Sequence, residues 1–515
     1  MSQISVNNLT FYYEGSFDPV FENSSFSIDT DWKLGLIGRN GKGKTTFLKL
    51  LLGKYSYQGV ISAATAFDYF PYQITERQME LPAAEFIEEI KPGCEDWRVI
   101  CELSQLSEEA EILYRPFRAL SGGEQTKVLL AVLFSGENEF LLVDEPTNHL
   151  DETAREIVKK YLASKKGFIL VSHDRDLLDA CTDHVLVLNR QTIEVQRGNF
   201  STWWENKQRR DQFVLAENQK HQKEIGKLRM AAARTSEWAD KNERTKIGFD
   251  PVKEHDRFLG TRSYIAAKTK KMQSRVKQME KRLEHEIEEK EGLLADLEQS
   301  VDLKLVNLTH HKERVVNIRN FGIRYRDADK PVFENVTFAI SAGERVALHG
   351  RNGCGKSTLI KLLLREAGNA DRQSGESENI AVLTREGACE TASGLVISYV
   401  PQDTSGLKGS LTAFCERRNL EQSLFFAILR QLDFERSQFM KNMQEYSEGQ
   451  KKKVLLAASL LTPAHLYLWD EPLNYIDVFS RMQLEKLILQ YRPTLLFVEH
   501  GIRFREKIAT KTVEL

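Results

Sequence analysis

Six cysteines are spread over 515 residues (Cys94, Cys101, Cys181, Cys354, Cys389 and Cys415), and no two of them form a Cys-x-x-Cys pair. Such scatter gives no footing to a metal ribbon or a disulfide framework and predicts reduced thiols in a cytoplasmic setting. Long apolar runs are missing too: nothing approaches the roughly 18 residues that a membrane span requires. The opening residues MSQISVNNLTFYYEG carry neither a basic cluster nor a long apolar stretch, so no signal peptide is expected. Charge of one sign is also absent. The 72 Lys and Arg against 74 Asp and Glu leave a formal net charge of −2, so any basic surface for nucleic acid must be local. The remainder, 28% charged and 41% hydrophobic, is ordinary globular composition, and the length predicts roughly three domains.

What is present is a repeat. Residues 38–46 read GRNGKGKTT and residues 350–358 read GRNGCGKST. Each is a phosphate-binding loop, G-x-x-x-x-G-K-[S/T], and each follows an apolar strand-like run, LGLI and RVALH. The glycines Gly38, Gly41, Gly43 and Gly350, Gly353, Gly355 let successive backbone N–H groups converge on phosphate oxygens, with Asn40 and Asn352 inside the loops. Lys44 and Lys356 are expected on the β/γ-phosphates, Thr45 and Ser357 on Mg²⁺, and Thr46 and Thr358 beside them. Downstream, FLLVDEPTNHLD at 140–151 and LYLWDEPLNYID at 466–477 are apolar runs ending in acid pairs. A buried strand of this kind would deliver Asp144 or Asp470 to the Mg²⁺ site and leave Glu145 or Glu471 to polarise the attacking water. A lone Asp-Glu pair is usually a solvated turn; the paired context favours function.

The spacing between the copies locates an insertion. Lys44 and Lys356 lie 312 residues apart, Gln73 and Gln402 lie 329 apart, Asp144 and Asp470 lie 326 apart, and His173 and His500 lie 327 apart. About 17 extra residues therefore fall between the second phosphate loop and Gln402. The polar stretch 366–394 is their place, expected as a surface loop or extended hairpin.

Between the copies, residues 200–300 are dense in Lys, Arg, Glu, Gln and Ala. Met272, Val276, Met279, Leu283 and Ile287 recur at helical steps, and Phe213, Ala216, Ile225, Leu228 and Ala232 form a weaker stripe. Gly248, Pro251 and Gly260 break the pattern. Two long helices in an antiparallel hairpin with a tip at 244–262 are expected. From Arg257 to Arg282 there are nine basic residues and one acid, Glu280. Arg257, Arg262, Lys268, Lys270, Lys271 and Arg275 lead that run, and such a stretch suits phosphates. Phe249, Phe258, Leu259 and Tyr264 supply stacking or apolar groups near the tip. A solvated coiled-coil face is the plain alternative.

LSGGEQ at 120–125 and YSEGQK at 446–451, together with both motif series, resemble the ATP-binding cassette ATPases. The resemblance implies that Ser121, Gly122, Gly123 and Glu124, and Ser447, Glu448, Gly449 and Gln450, face a γ-phosphate at a helix N-terminus. It also implies that Gln73 and Gln402 are Q-loop residues near ATP and Mg²⁺, that His173 and His500 sense the γ-phosphate, and that Tyr13 and Tyr325 stack on adenine. Asp151 and Asp477 match the loop that communicates between domains. Glu448 departs from the pattern by replacing a glycine, and Gly501 stands where the first copy has Asp174; unequal ATP sites are expected from both.

Two cassettes on one chain joined by a helical hairpin resemble the ABC-F family of ribosome-acting ATPases over essentially the whole length. YSEGQKKKV, LWDEPLNYID and RSYIAAKTKKMQSR narrow the likeness to the Vga/Lsa-type antibiotic-resistance group. The fold class expected is α/β: two tandem P-loop ATPase domains, 1–199 and 301–515, with a helical linker at 200–300. The expected cofactors are ATP and Mg²⁺. The expected partner is the bacterial 70S ribosome, through 23S rRNA and P-site tRNA, with no membrane and a monomer whose two ATPase domains pair within the chain. Protection from lincosamide, pleuromutilin and streptogramin A antibiotics is the expected outcome. A housekeeping translation factor of the same family and a soluble transporter ATPase subunit are the alternatives.

Overall fold

The computed structural model describes residues 2–13, 19–148, 150–189, 192–244, 305, 307–325, 331–351, 353–368, 383–432, 434 and 436–515, with a few positions between 274 and 282. One compact unit comprises Met1–Trp203 with Val301–Leu515, and a second comprises Trp204–Ser300.

In the first unit the two sequence copies build the same architecture twice. The first copy opens with antiparallel strands β1 (Gln3–Phe11), β2 (Phe21–Asp29) and β4 (Gln58–Ser62), in the order β2-β1-β4. Strands β3 (Lys33–Ile37), β5 (Ala66–Phe70), β6 (Glu139–Asp144), β7 (Phe168–Val171), β8 (His184–Leu188) and β9 (Ile193–Arg197) form a larger sheet in the order β5-β6-β7-β3-β8-β9. Its strands are parallel except for the β8–β9 pair. Apolar runs such as FILV at 168–171 are buried at every residue, which is the pattern of parallel strands covered on both faces. Helix Lys44–Leu51 buries Phe47, Leu48 and Leu50 against Ile4, Val6, Leu34 and Leu36, closing a core between the sheets.

The second copy repeats this with β11 (Phe333–Ser341), β10 (Arg314–Tyr325) and β13 (Leu383–Thr391) in one antiparallel sheet. Its parallel sheet runs β14 (Ile397–Val400), β15 (Leu466–Asp470), β16 (Leu495–Val498), β12 (Arg345–His349) and β17 (Lys511–Glu514). Residues 383–391 of the polar stretch 366–394, expected as a surface loop or extended hairpin, are strand: they pair antiparallel with β10, from Val316 opposite Thr391 to Tyr325 opposite Leu383. An edge position explains the polar composition, since only one flank of β13 is hydrogen-bonded. Residues 369–382 of that stretch lie outside the described residues.

In the second unit, helix Phe200–Arg244 runs for 45 residues. Its inward face keeps Ile225 and Leu228 of the apolar stripe read from sequence but not Phe213 or Ala216. Phe213 is 64% exposed and Ala216 is exposed, whereas Val214, Asn218, His221, Ile225 and Leu228 are half-buried or buried. These five recur at steps of 4, 3, 4 and 3, a helical face that polar residues hide from an apolar count. Met279 is 54% exposed; Met272, Val276, Leu283 and Ile287 fall outside the described residues, as do the tip positions Phe249, Arg257, Phe258, Leu259, Arg262, Tyr264, Lys268, Lys270, Lys271 and Arg275.

Candidate nucleotide sites

Each phosphate loop leaves the C-terminal end of a central strand and enters a helix, which is where α/β sheets bind ligands. Gly43 has φ +88° and Gly355 has φ +93°. A Cβ at these positions would lie 2.6 Å from Val20 Cγ1 and from Val332 Cγ1, so only glycine fits. Lys44 Nζ donates to Gly38 O (2.8 Å) and Asn40 Oδ1 (3.2 Å). Lys356 Nζ donates to the carbonyls of Gly350 and Arg351, both at 2.8 Å. Burial lowers the Lys44 pKa, and a polyphosphate would restore the cation's counter-charge. Asn352 lies outside the described residues.

Beside each lysine the acid strand ends. Thr45 Oγ1 donates to Asp144 Oδ2 at 3.2 Å, and Tyr69 OH donates to the same oxygen at 3.1 Å. Asp470 is only 1% exposed, and both its carboxylate oxygens are buried without a hydrogen-bond partner. Burial pushes its pKa up to about 6. A partnerless buried carboxylate next to the Ser357 hydroxyl fits a divalent cation held largely by phosphate and water oxygens. When bound, Mg²⁺ would neutralise phosphate charge there, with Thr45 and Asp144, or Ser357 and Asp470, as its protein ligands.

Glu145 and Glu471 follow directly, and both adopt the left-handed backbone region, φ +53° and +46°. The Glu145 N–H donates to Val171 O (2.9 Å) and the Glu471 N–H to Val498 O (3.1 Å), which holds the unusual turn in place. Each carboxylate meets a histidine: His173 Nε2 lies 3.3 Å from Glu145 Oε1, and His500 Nε2 lies 3.2 Å from Glu471 Oε1. The surroundings then diverge. Glu471 Oε2 accepts from Gln402 Nε2 (2.9 Å) and Asn474 Nδ2 (2.6 Å). Gln73, the counterpart of Gln402, is exposed. Burial and the adjacent Asp144 raise the Glu145 pKa. Burial would also raise Glu471, but His500, Lys452 and Gln402 outweigh it and hold the carboxyl below its usual range. Burial keeps His173 neutral.

The signature serines cap helices. Ser121 Oγ accepts from Glu124 N (3.2 Å) and Glu124 returns a bond to Ser121 N (2.7 Å); Ser447 and Gln450 do the same at 3.3 and 3.0 Å. Gly122 and Gly123 begin helix Gly122–Phe134, and Glu448 and Gly449 begin helix Glu448–Leu461, so both motifs present helix N-termini. Asp151 and Asp477 also cap, accepting from Ala154 N and Ser480 N, both at 2.9 Å. Asp477 is fully buried and paired with Lys453 at 2.9 Å.

The first phosphate loop touches the other domain. Asn40 Nδ2 donates to Tyr475 O at 3.0 Å. The same carbonyl would sit 2.6 Å from a Cβ on Gly449. The second signature is thus packed beside the first phosphate loop. Elsewhere Arg505 grips Glu152 with two bonds (2.8 and 3.0 Å), and Arg175 pairs with Glu485 across the domains. Tyr13 is 44% exposed, edge-on to Phe11 and Tyr55, with its hydroxyl on Thr46. Tyr325 ends β10, Gly353 has φ +82° in the second phosphate loop, and Thr358 lies in helix Lys356–Glu366.

The sequence reading missed Glu499 and the lysines of the second signature helix. Glu499 is buried and accepts from His500 N (3.1 Å) and Leu473 N (3.3 Å). Lys452 Nζ donates to Pro401 O at 2.7 Å. The available signal was the contrast between copies: Ser172 against Glu499, and Thr126 against Lys452.

Two tandem α/β domains with paired phosphate loops, acid pairs and capped signature helices define an ATPase of the cassette type. The ABC transporter family model matches residues 21–148 and 333–474, together just over half of the chain, and the chain belongs to that family. It is an ATP-hydrolysing member. Among the described residues no helix is long and apolar enough to cross a membrane. Over 498 residues the chain is 28% identical to the ribosome protection protein VmlR of Bacillus subtilis (strain 168), covering 96% of this chain and 84% of that one. It is 26% identical over 516 residues to the ATP-binding protein Uup of Caulobacter vibrioides (96% and 75% covered). Among solved structures, an archaeal ribosome recycling factor bound to a ribosomal stalk protein shares the fold, with a TM-score of 0.57 at 17% identity over 98% of this chain and 87% of that one.

Proposed function

We propose that this chain is an ABC-F ATPase of the ribosome-protection kind. The observation that carries the reading is likeness over 96% of the chain to a protein named for ribosome protection. The two ATPase domains, 1–199 and 301–515, close on ATP and Mg²⁺ and reopen after hydrolysis. Glu145 and Glu471 activate water, and His173 and His500 sense the γ-phosphate. The segment 200–300, whose first helix is 45 residues long, reaches the 23S rRNA and P-site tRNA of the 70S ribosome with the basic residues after Arg257. Cytoplasmic location follows from that partner. Lincosamide, pleuromutilin and streptogramin A protection is the expected phenotype.

Expression in a sensitive host and measurement of the minimum inhibitory concentration for a lincosamide and a pleuromutilin tests it. A rise of several-fold is expected. No protection against any drug of these classes, with the protein expressed, would leave the second reading, a translation factor of the same family.

A further inference from the structure

Glu448 stands where the first copy has Gly122. A Cβ at Gly122 would meet open space, so a side chain is sterically allowed at this position. The difficulty is electrical: a carboxylate at a helix N-terminus that serves a γ-phosphate repels the ligand. In the structure the Glu448 carboxylate is turned aside. Its Oε2 accepts from Thr404 Oγ1, and its Oε1 lies 2.9 Å from Lys451 Nζ. Thr404 is buried, 3% exposed, and lies two residues beyond Gln402, whose amide donates to Glu471. The first copy has no such tie. There Thr75, the counterpart of Thr404, uses its hydroxyl to cap Gln78 N.

We propose that Thr404 is a positioning residue that holds the Glu448 carboxylate away from the γ-phosphate of the ATP bound at the first phosphate loop. The tie also joins the signature of one nucleotide site to the Q-loop of the other. Gln402 and Thr404 lie on one short stretch, so a shift of Gln402 on Glu471 reaches Glu448 through two peptide units. The second copy therefore needs Thr404 because it carries Glu448; with glycine at 448 the hydroxyl has nothing to hold.

The test is a double-mutant cycle on the full chain in a Glu471→Gln background, where turnover reports the site built on the first phosphate loop. Thr404→Val should raise KM for ATP roughly three- to tenfold, the loss of one charge-assisted hydrogen bond, with kcat nearly constant. Thr404→Ser should restore the parent KM. In a Glu448→Gly protein the same Thr404→Val change should leave KM unmoved. Glu448→Asp, too short to reach Thr404 but still charged, should raise KM as Thr404→Val does and leaves the buried position intact should valine unfold it. The proposal is overturned if neither Thr404→Val nor Glu448→Asp raises KM, if only kcat changes, or if Thr404→Val raises KM equally with glycine at 448.

Discussion

A left-handed backbone at a glutamate costs roughly 1 kcal/mol relative to the right-handed form, and this chain accepts it twice, at Glu145 and Glu471. Both residues turn their carboxylates from the end of a buried strand to a histidine, His173 or His500, and the proposed role for each is to activate water. Replacing both with Gln keeps the shape and removes the base. The double variant should lose about 10²- to 10⁴-fold in ATP turnover and still bind ATP; near-normal turnover in a phosphate-release assay would remove them from the role. The single variants should separate by pH. Glu145, raised by burial and Asp144, must lose its proton to act, so turnover in Glu471→Gln protein should fall as pH drops through the neutral range. Glu471 is held below the usual range, so turnover in Glu145→Gln protein should stay flat there. Superimposable profiles would contradict this. Asp470 gives a stability prediction. Its folded pKa, about 6, lies above the ordinary carboxylate value of 3.8, so its ionised form destabilises the nucleotide-free fold above that pH, and the penalty is relieved as pH falls toward 4. Asp470→Asn should therefore raise the melting temperature of nucleotide-free protein by several degrees at pH 7.5, an effect of at most about 3 kcal/mol. The gain should shrink at pH 5, and Mg²⁺-dependent ATP binding at that site should be lost.

At the scale of elements, the strands and loops that carry the sites were legible because they are locally determined. FLLV and LYLW are buried on both faces, and the phosphate loops turn at glycines such as Gly43 and Gly355 whose φ, +88° and +93°, favours glycine. What escaped depends on neighbours distant in sequence. The face of helix Phe200–Arg244 includes Asn218 and His221, which no hydropathy pattern singles out. Lys452 and Lys453 read as exposed charges, yet each is 2% exposed because a backbone carbonyl or Asp477 partners it. Edge-strand polarity left the stretch holding strand 383–391 open between a loop and a hairpin. The tip, 244–262, belongs to this scale as a prediction: Phe258→Ala with Leu259→Ala should leave ATPase activity and ribosome binding nearly intact and reduce protection in an inhibitory-concentration assay. Full protection by this variant would show that these two side chains do not carry it.

At the scale of the whole molecule, a chain with net charge −2 must meet RNA through a local patch. On the proposed function, the run of basic residues in the sequence from Arg257 to Arg282 is that patch, so ribosome affinity should fall steeply between about 50 and 200 mM salt; a salt-independent affinity would argue for a protein partner instead. Arg505 on Glu152 and Asn40 on Tyr475 O join the two ATPase domains directly. The most direct test is co-sedimentation of the Glu145→Gln, Glu471→Gln protein with 70S ribosomes, with and without ATP. ATP-dependent pelleting with ribosomes is predicted; absence of the protein from the ribosomal pellet when ATP is present would contradict the account.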